Sequence, residues 1–172
     1  MTAMEGTEPE PTRGRALAIT TVVALVAAVL MAGAGGVLWF VRAEHDHQVR
    51  DTAVTVAARN QVLALLTLDP DNVQSSLDTV LAGATGGWRQ QFAGQADRFT
   101  QVVHNGQVRA QATISSSGIQ KADDQRATVL VSANAMIQNT DSPQGYLGVY
   151  RVLLDLEVQD GRWLVSNLEF VA

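Results

Sequence analysis

The chain has 172 residues, 47% of them hydrophobic and 17% charged, with a formal net charge of −5 at pH 7. That acidic balance argues against nucleic acid as a partner, because phosphates select basic patches. There is no cysteine, which excludes disulfides and thiolate metal sites and permits an oxidising compartment without demanding one.

Residues 1–15, MTAMEGTEPEPTRGR, carry Gly6, Pro9, Pro11 and Gly14 and almost no aliphatic side chains. They cannot bury a core and are predicted to be a disordered tail. Ala16 to Val41 then runs without a charge, bracketed by Arg13 and Arg15 before it and Arg42 after it. At helical rise this segment reaches about 39 Å, enough to cross a hydrocarbon layer of about 30 Å with some tilt. In lipid the backbone must satisfy its own hydrogen bonds, so residues 16–41 are predicted to form one transmembrane helix. Trp39 suits an interfacial anchor.

A cleaved secretory signal is the rival reading, with Ala32-Gly33-Ala34 and Val41-Arg42-Ala43 as loose cleavage sites. A soluble buried helix is a third. The apolar run is far longer than a signal's usual core of about 7–15 residues, which favours a retained anchor. Arg13 and Arg15 mark the tail as cytoplasmic, and Arg42 and Arg50 oppose that assignment. A large domain translocates largely regardless of charge, so the mass beyond the span is predicted to be extracytoplasmic. Ala24, Ala28, Ala32 and Gly36 recur every fourth residue along the span. Such a stripe of small residues lets another helix approach closely and is a candidate docking face, although alanine is abundant throughout this segment.

Residues 42–50 are predicted to form a polar juxtamembrane stalk. Its His45-Asp46-His47 invites a metal reading. With only His104 as a further histidine, a solvated stalk is the better account, since zinc sites ordinarily take three or four protein ligands.

The remaining residues, 51–172, have the size of a single domain. A helix is predicted over 51–68, with Val54, Ala58, Val62, Leu65 and Leu66 on one face. Asp69-Pro70-Asp71 ends it, with Asp69 as the expected cap of a second helix over 72–81 carrying Val73, Leu77, Val80 and Leu81. Gly83 stops that helix. Thr85 caps a third helix over 86–103, whose expected buried stripe is Trp88, Phe92, Phe99, Val102 and Val103.

Four strands follow, over 108–119, 125–138, 145–159 and 162–171. Ser115-Ser116-Ser117-Gly118 softens the far end of the first strand. Val129, Val131, Ala133, Ala135 and Ile137 share one face of the second, with Thr128, Leu130, Ser132, Asn134 and Met136 on the other. In the third, Tyr150, Val152, Leu154, Leu156 and Val158 oppose Arg151, Leu153, Asp155 and Glu157. Asp123-Asp124 and Asn139 to Pro143 are connecting turns, and Asp160-Gly161 signals a tight hairpin. Helices first and strands second imply an α+β domain, with three helices packed on a curved four-stranded antiparallel sheet.

Little in this domain points to chemistry. It has no G-x-S-x-G, Walker, H-E-x-x-H or dinucleotide-binding sequence. Setting aside Glu5, Glu8, Glu10, Arg13, Arg15 and Arg42 leaves fourteen carboxylates against nine Lys and Arg. Asp97, Asp155, Glu157, Arg151 and His104 are the candidates for acid–base work, which needs titratable groups in a desolvated pocket. Asp97 beside Arg98 sits on the expected wet side of a helix. Asp155, Glu157 and Arg151 alternate with the apolar set, as on a solvated sheet face. His104 near a helix C-terminus is favourable to the dipole without a catalytic duty. Gly83-Ala84-Thr85-Gly86-Gly87 opens a helix and could receive an anion, but no strand precedes it and no lysine follows, so it is read as a tight helix junction.

Three helices followed by long antiparallel strands resemble the NTF2-like cone fold. Leu66 to Phe92 and Gly161 to Val171 resemble, more narrowly, the Mce-associated membrane proteins of mycobacteria and related actinobacteria. Gly83-Ala84-Thr85-Gly86 and Val165-Ser166-Asn167-Leu168-Glu169-Phe170 are the most specific stretches, and the likeness covers about residues 16–172. Asp69-Pro70 departs from the Asp-Tyr frequent in that family, which bears on the local helix junction. This resemblance implies a non-enzymatic accessory subunit, without cofactor, that binds and stabilises an Mce-type lipid or sterol transporter. Its implied partners are Mce subunits or other membrane proteins and membrane lipid. A type IV secretion inner-membrane component has the same layout and is the second reading. A lipid-binding or enzymatic NTF2-like pocket is the third.

Overall fold

The structure, a computed structural model, describes residues 47–171. The predicted tail and transmembrane span, the stripe Ala24, Ala28, Ala32 and Gly36, and His45 and Asp46 lie outside the described residues. Among the described residues no helix is long and apolar enough to cross a membrane.

Helix α1 covers 47–66, so it already includes residues 47–50 that the sequence assigns to a stalk. Val54, Ala58 and Val62 stand one turn apart and are each fully buried, the spacing that puts side chains on a single helical face. After the helix, Leu68 exchanges two backbone hydrogen bonds of 2.9 Å with Ala110, which ties the exit of α1 to the first strand. The Asp69 carboxylate then accepts the N–H of Asp71 at 3.2 Å, making a local turn rather than a helix cap. Helix α2 spans Val73–Ala82 with Asn72, not Asp69, at its N-cap position. Pro70 therefore belongs to the turn, and the helix begins three residues later.

Helix α3 spans Gly86–Asn105. Trp88, Phe92 and Phe99 stack in sequence, with ring centroids 5.4 and 5.9 Å apart. Val103 is buried, but Val102 is 60% exposed, against the expected stripe. At about 100° per residue, Trp88, Phe92, Phe99 and Val103 fall within an arc of about 60°, and Val102 lies about 40° outside it.

The strands are β1 (Arg109–Ala122), β2 (Arg126–Gln138), β3 (Tyr146–Gln159) and β4 (Arg162–Val171), paired as an antiparallel meander in the order β1-β2-β3-β4. Strand β1 continues three residues beyond its predicted end, because register shifts near Ser115 and Gln120 let the serine-rich stretch stay in the ladder. At its end the Asp123 carboxylate accepts the N–H groups of Gln125 and Arg126 at 2.9 and 2.8 Å, which closes the turn into β2. Asp160 and Gly161 both adopt positive φ, 52° and 73°, the backbone of a two-residue turn matched to strand twist.

The core lies between α1 and one face of the sheet. Val54, Ala58 and Val62 meet Val129, Val131, Val152, Leu154, Leu156 and Val165, all at most 1% exposed. A second cluster joins Leu77 and Val80 of α2 to Phe92 of α3, with Leu65, Trp88 and Phe99 packed around it. The fold is thus α+β, three helices on a four-stranded antiparallel sheet, as the periodicity change predicts.

Candidate functional site

The two stretches that carry the family resemblance meet in space. Val165 donates its N–H to the carbonyl of Gly83 and accepts the N–H of Thr85, both at 2.8 Å, so the α2–α3 junction lies as a short parallel bridge against β4. Thr85 donates its hydroxyl to the side-chain oxygen of Gln159 at 2.7 Å. The carbonyls at the end of α2, which lack helical partners, are taken up from outside: Arg162 donates to Ala82 at 3.1 Å and Arg89 donates to Leu81.

Two glycines have specific duties here. Gly86 has φ +54°, a backbone region that costs any residue with a Cβ. Gly83 admits the side chain of Gln61, since a Cβ at position 83 would stand 2.3 Å from Gln61 Oε1. Gln61 is the one polar residue in the core among the described residues, 3% exposed, and its amide nitrogen donates to the carbonyl of Val80 at 3.1 Å. The Gly83-Ala84-Thr85-Gly86 segment is accordingly a tight junction, built from α1, α2 and β4 together. Gln61 was not singled out from the sequence. Its only signal is a polar residue next to the apolar Val62 within the helical face.

A second group lies on the sheet face that the helices do not cover. Lys121, Thr128, Asp155 and Asn167 stand in one row across all four strands. The Asp155 carboxylate accepts the Thr128 hydroxyl at 2.8 Å and the Asn167 amide at 3.3 Å. Arg126 faces Glu157 at 3.9 Å on the next rung. These residues, with Ser166, line a shallow depression of about 340 Å³ that is open to solvent. Asp155 therefore joins three strands through hydrogen bonds. It and Glu157 are brought together with Lys121 and Arg126, whereas Arg151 is exposed two rungs away.

The other predicted candidates are scattered. Asp97 and His104 are exposed on α3, apart from the row and from each other, and His47 is exposed on α1. Among the described residues no three His, Asp or Glu side chains converge as metal ligands. Arg109, unremarked in the sequence, reaches both Asp69 at 2.7 Å and Asp71 at 2.6 Å and holds the α1–α2 turn against β1. Its guanidinium pKa is raised first by the hydrogen bond to Asp71 and then by the charge of Asp69. At the other end of the domain Arg50 pairs with Asp51 at 2.9 Å and with Asp124 in the β1–β2 turn at 3.4 Å.

The described residues have an NTF2-like fold, similar to that of solved VirB8-like domains. The periplasmic domain of DotI matches with a TM-score of 0.58 at 15% identity, covering 70% of this chain and 94% of that one. CagV, a VirB8 homolog of the type IV secretion system from Helicobacter pylori, matches with a TM-score of 0.54 at 14% identity, covering 72% and 97%. Identities this low establish the fold alone. Residues 16–172 match the family described as uncharacterized protein Rv1363c/MT1408-like, and the chain belongs to that family. Outer membrane protein Rv1973 of Mycobacterium tuberculosis is 32% identical over 158 residues, covering 84% of this chain and 90% of the relative. Uncharacterized protein Rv1363c of the same organism is 24% identical over 157 residues, and the alignment spans 89% of this chain but only 60% of that relative.

Proposed function

We propose that this protein is a non-enzymatic, single-pass envelope subunit, with its N-terminus in the cytoplasm and its NTF2-like head outside the membrane. In this reading the head binds and stabilises a multi-subunit Mce-type lipid or sterol transporter. The observation that supports the non-enzymatic part is the filled space between α1 and the sheet. Where NTF2-like domains can hold a ligand, Val54, Ala58 and Val62 pack directly on Val129, Val131, Val152 and Leu154, all buried, and the titratable candidates lie on the opposite face or on helix surfaces. A packed interior speaks for a scaffold, and against a lipid-binding or catalytic pocket. Membership of a family with mycobacterial relatives supports the choice of transporter, and that choice otherwise rests on the resemblance of the α2–α3 and β4 segments.

The test is purification of the intact chain from detergent-solubilised membranes of its host. Co-purification of Mce subunits, and a fall in their abundance on deletion of this gene, are the expected results. Absence of both overturns the reading. The fold of DotI and CagV favours one competitor, a subunit of a secretion channel, and secretion proteins in the same pull-down would establish it instead. Protease added to spheroplasts is expected to remove the C-terminal head, and an intact head would refute the orientation.

A further inference from the structure

Strand β3 is longer than the strand beside it. Strand β4 pairs with β3 from Gln159 back to Arg151, where Val171 stands opposite. Among the described residues, nothing pairs with Tyr146 to Tyr150 on that side, although the same stretch is fully paired to β2 on the other. An unpaired strand edge presents backbone donors and acceptors that a further strand can complete. Natural edges are usually blunted by charge, proline or bulges. This one carries none of them. From Tyr146 to Tyr150 there is no charged residue and no proline, Pro143 lying in the loop before the strand, and the β2–β3 pairing runs through it without a register shift.

Two of its side chains are also apolar and uncovered, and Tyr150 is half-buried against the core. Leu147 is 61% and Val149 67% exposed on the face away from the helices, beside Met136 at 49%. On the other face Tyr150 lies over Gly148, where a Cβ would stand 2.7 Å from the ring, and meets Phe170 edge-on at 6.0 Å. Tyr146 is itself half exposed there.

We infer that Tyr146 to Tyr150 is a strand-addition site whose occupant is the same segment of a second copy of this chain, paired antiparallel about a two-fold axis. The segment is self-complementary. An axis at Gly148 sets Leu147 opposite Val149 of the partner and Tyr146 opposite Tyr150, apolar against apolar on one face and aromatic against aromatic on the other. Charge favours this edge for contact between copies. Twelve carboxylates against nine Lys and Arg make each described head acidic, so two heads repel over much of their surface and least along an uncharged strand. Gly145, with φ +76°, stands immediately before the strand begins at Tyr146. This inference does not depend on which transporter or channel the protein serves.

The natural lack of cysteine allows a direct test on the full-length chain in its membrane. In the variant Leu147→Cys/Val149→Cys, position 147 of one copy faces position 149 of the other, within disulfide reach. Mild oxidation is expected to yield a covalent dimer of twice the chain mass. The control Val56→Cys, exposed on α1, is expected to remain monomeric. Dimer yield no greater than the control, or a covalent adduct with a different polypeptide, overturns the inference. A second pair of variants addresses altered folding. Leu147→Glu/Val149→Glu sets like charges opposite each other and is expected to abolish the dimer seen by sedimentation of the detergent-solubilised chain, whereas Leu147→Lys/Val149→Glu sets opposite charges together and restores it. Equal dimer content in both variants refutes strand pairing.

Discussion

The two halves of β3 follow the same alternation and end in different surroundings. From Val152 to Leu156, every second side chain is buried under α1. Toward the start of the strand Tyr146, on that same face, is 49% exposed, while Leu147 and Val149, at 61% and 67%, stand on the face away from the helices. The strand itself is continuous, and its pairing with β2 has no break between the two halves. Coverage therefore decides burial here, not the residues' hydrophobicity. Helix α1 enters beside the β1–β2 turn, where Arg50 meets Asp124, and leaves beside the start of β1, where Leu68 meets Ala110. Its buried side chains Val54, Ala58 and Val62 meet Val152, Leu154 and Leu156 and not Tyr146. A period-2 pattern announces that a strand has an apolar face, without saying what lies against that face.

Truncations in the two halves should separate most widely. Leu154→Ala removes a fully buried side chain beneath α1 and is expected to destabilise the head by about 2–5 kcal/mol. Leu147→Ala, on the exposed half, is expected to change stability by no more than about 0.5 kcal/mol. Urea unfolding followed by tryptophan fluorescence measures both. Similar losses at the two sites would mean that the hairpin is covered within the monomer.

The helix junction sharpens the contrast by testing packing at a single atom. Gly83→Ala places a Cβ against Gln61 Oε1 and is expected to cost about 1–3 kcal/mol through overpacking. Gln61→Ala leaves the Val80 carbonyl without its donor and should cost a similar amount, about 1–3 kcal/mol. In the double variant the clash is gone, so the combined loss should fall well below the sum. Full additivity would show that the two side chains do not meet.

On the uncovered sheet face, effects should be smaller. Asp155→Ala removes the acceptor shared by Thr128 and Asn167 and is expected to cost about 1 kcal/mol, since the group is only partly buried. Thermal unfolding measures this loss. A defect in envelope function with no change in stability would assign Asp155 a role in binding instead.

The smallest effect is expected at the exposed β1–β2 turn. The N–H groups of Gln125 and Arg126 hold the Asp123 carboxylate below its ordinary pKa. The folded state therefore binds this proton more weakly than the unfolded chain. Its contribution to stability is complete above the unfolded value of 3.8 and is lost as the pH falls through the lower folded value. Asp123→Asn is expected to lower neutral stability slightly and to flatten that acid limb, so that the two proteins converge at low pH. Melting temperatures measured between about pH 6 and pH 2 would reveal the difference.

Much of the fold was legible from the chain alone because its signals are local. The helical spacing of Val54, Ala58 and Val62, the alternation of Val129 to Ala135 and the Asp160-Gly161 turn each depend on a few neighbouring residues. The departures come where distant groups decide. Asp69 Oδ1 accepts both the N–H of Asp71 and the guanidinium of Arg109, forty residues on, so the cap passes to Asn72. Val102 falls just outside the arc that α3 presents to its neighbours. The candidate acids were visible as residue types. Only strand register placed Asp155 and Glu157 beside Lys121 and Arg126 and left Asp97 and His104 apart.

Residue order by itself determined the α+β class, the acidic charge, the long uncharged apolar run over 16–41 and the kinds of element that follow it, because propensity and periodicity act over a few residues. Tertiary structure alone decided that Gly83 and Thr85 bridge to Val165, that Gln61 fills the space a side chain at 83 would take, and that half of β3 lies open. Those outcomes depend on which surfaces meet across stretches from 22 residues (Gln61 to Gly83) to 82 residues (Gly83 to Val165) of chain, and no local pattern encodes such a meeting.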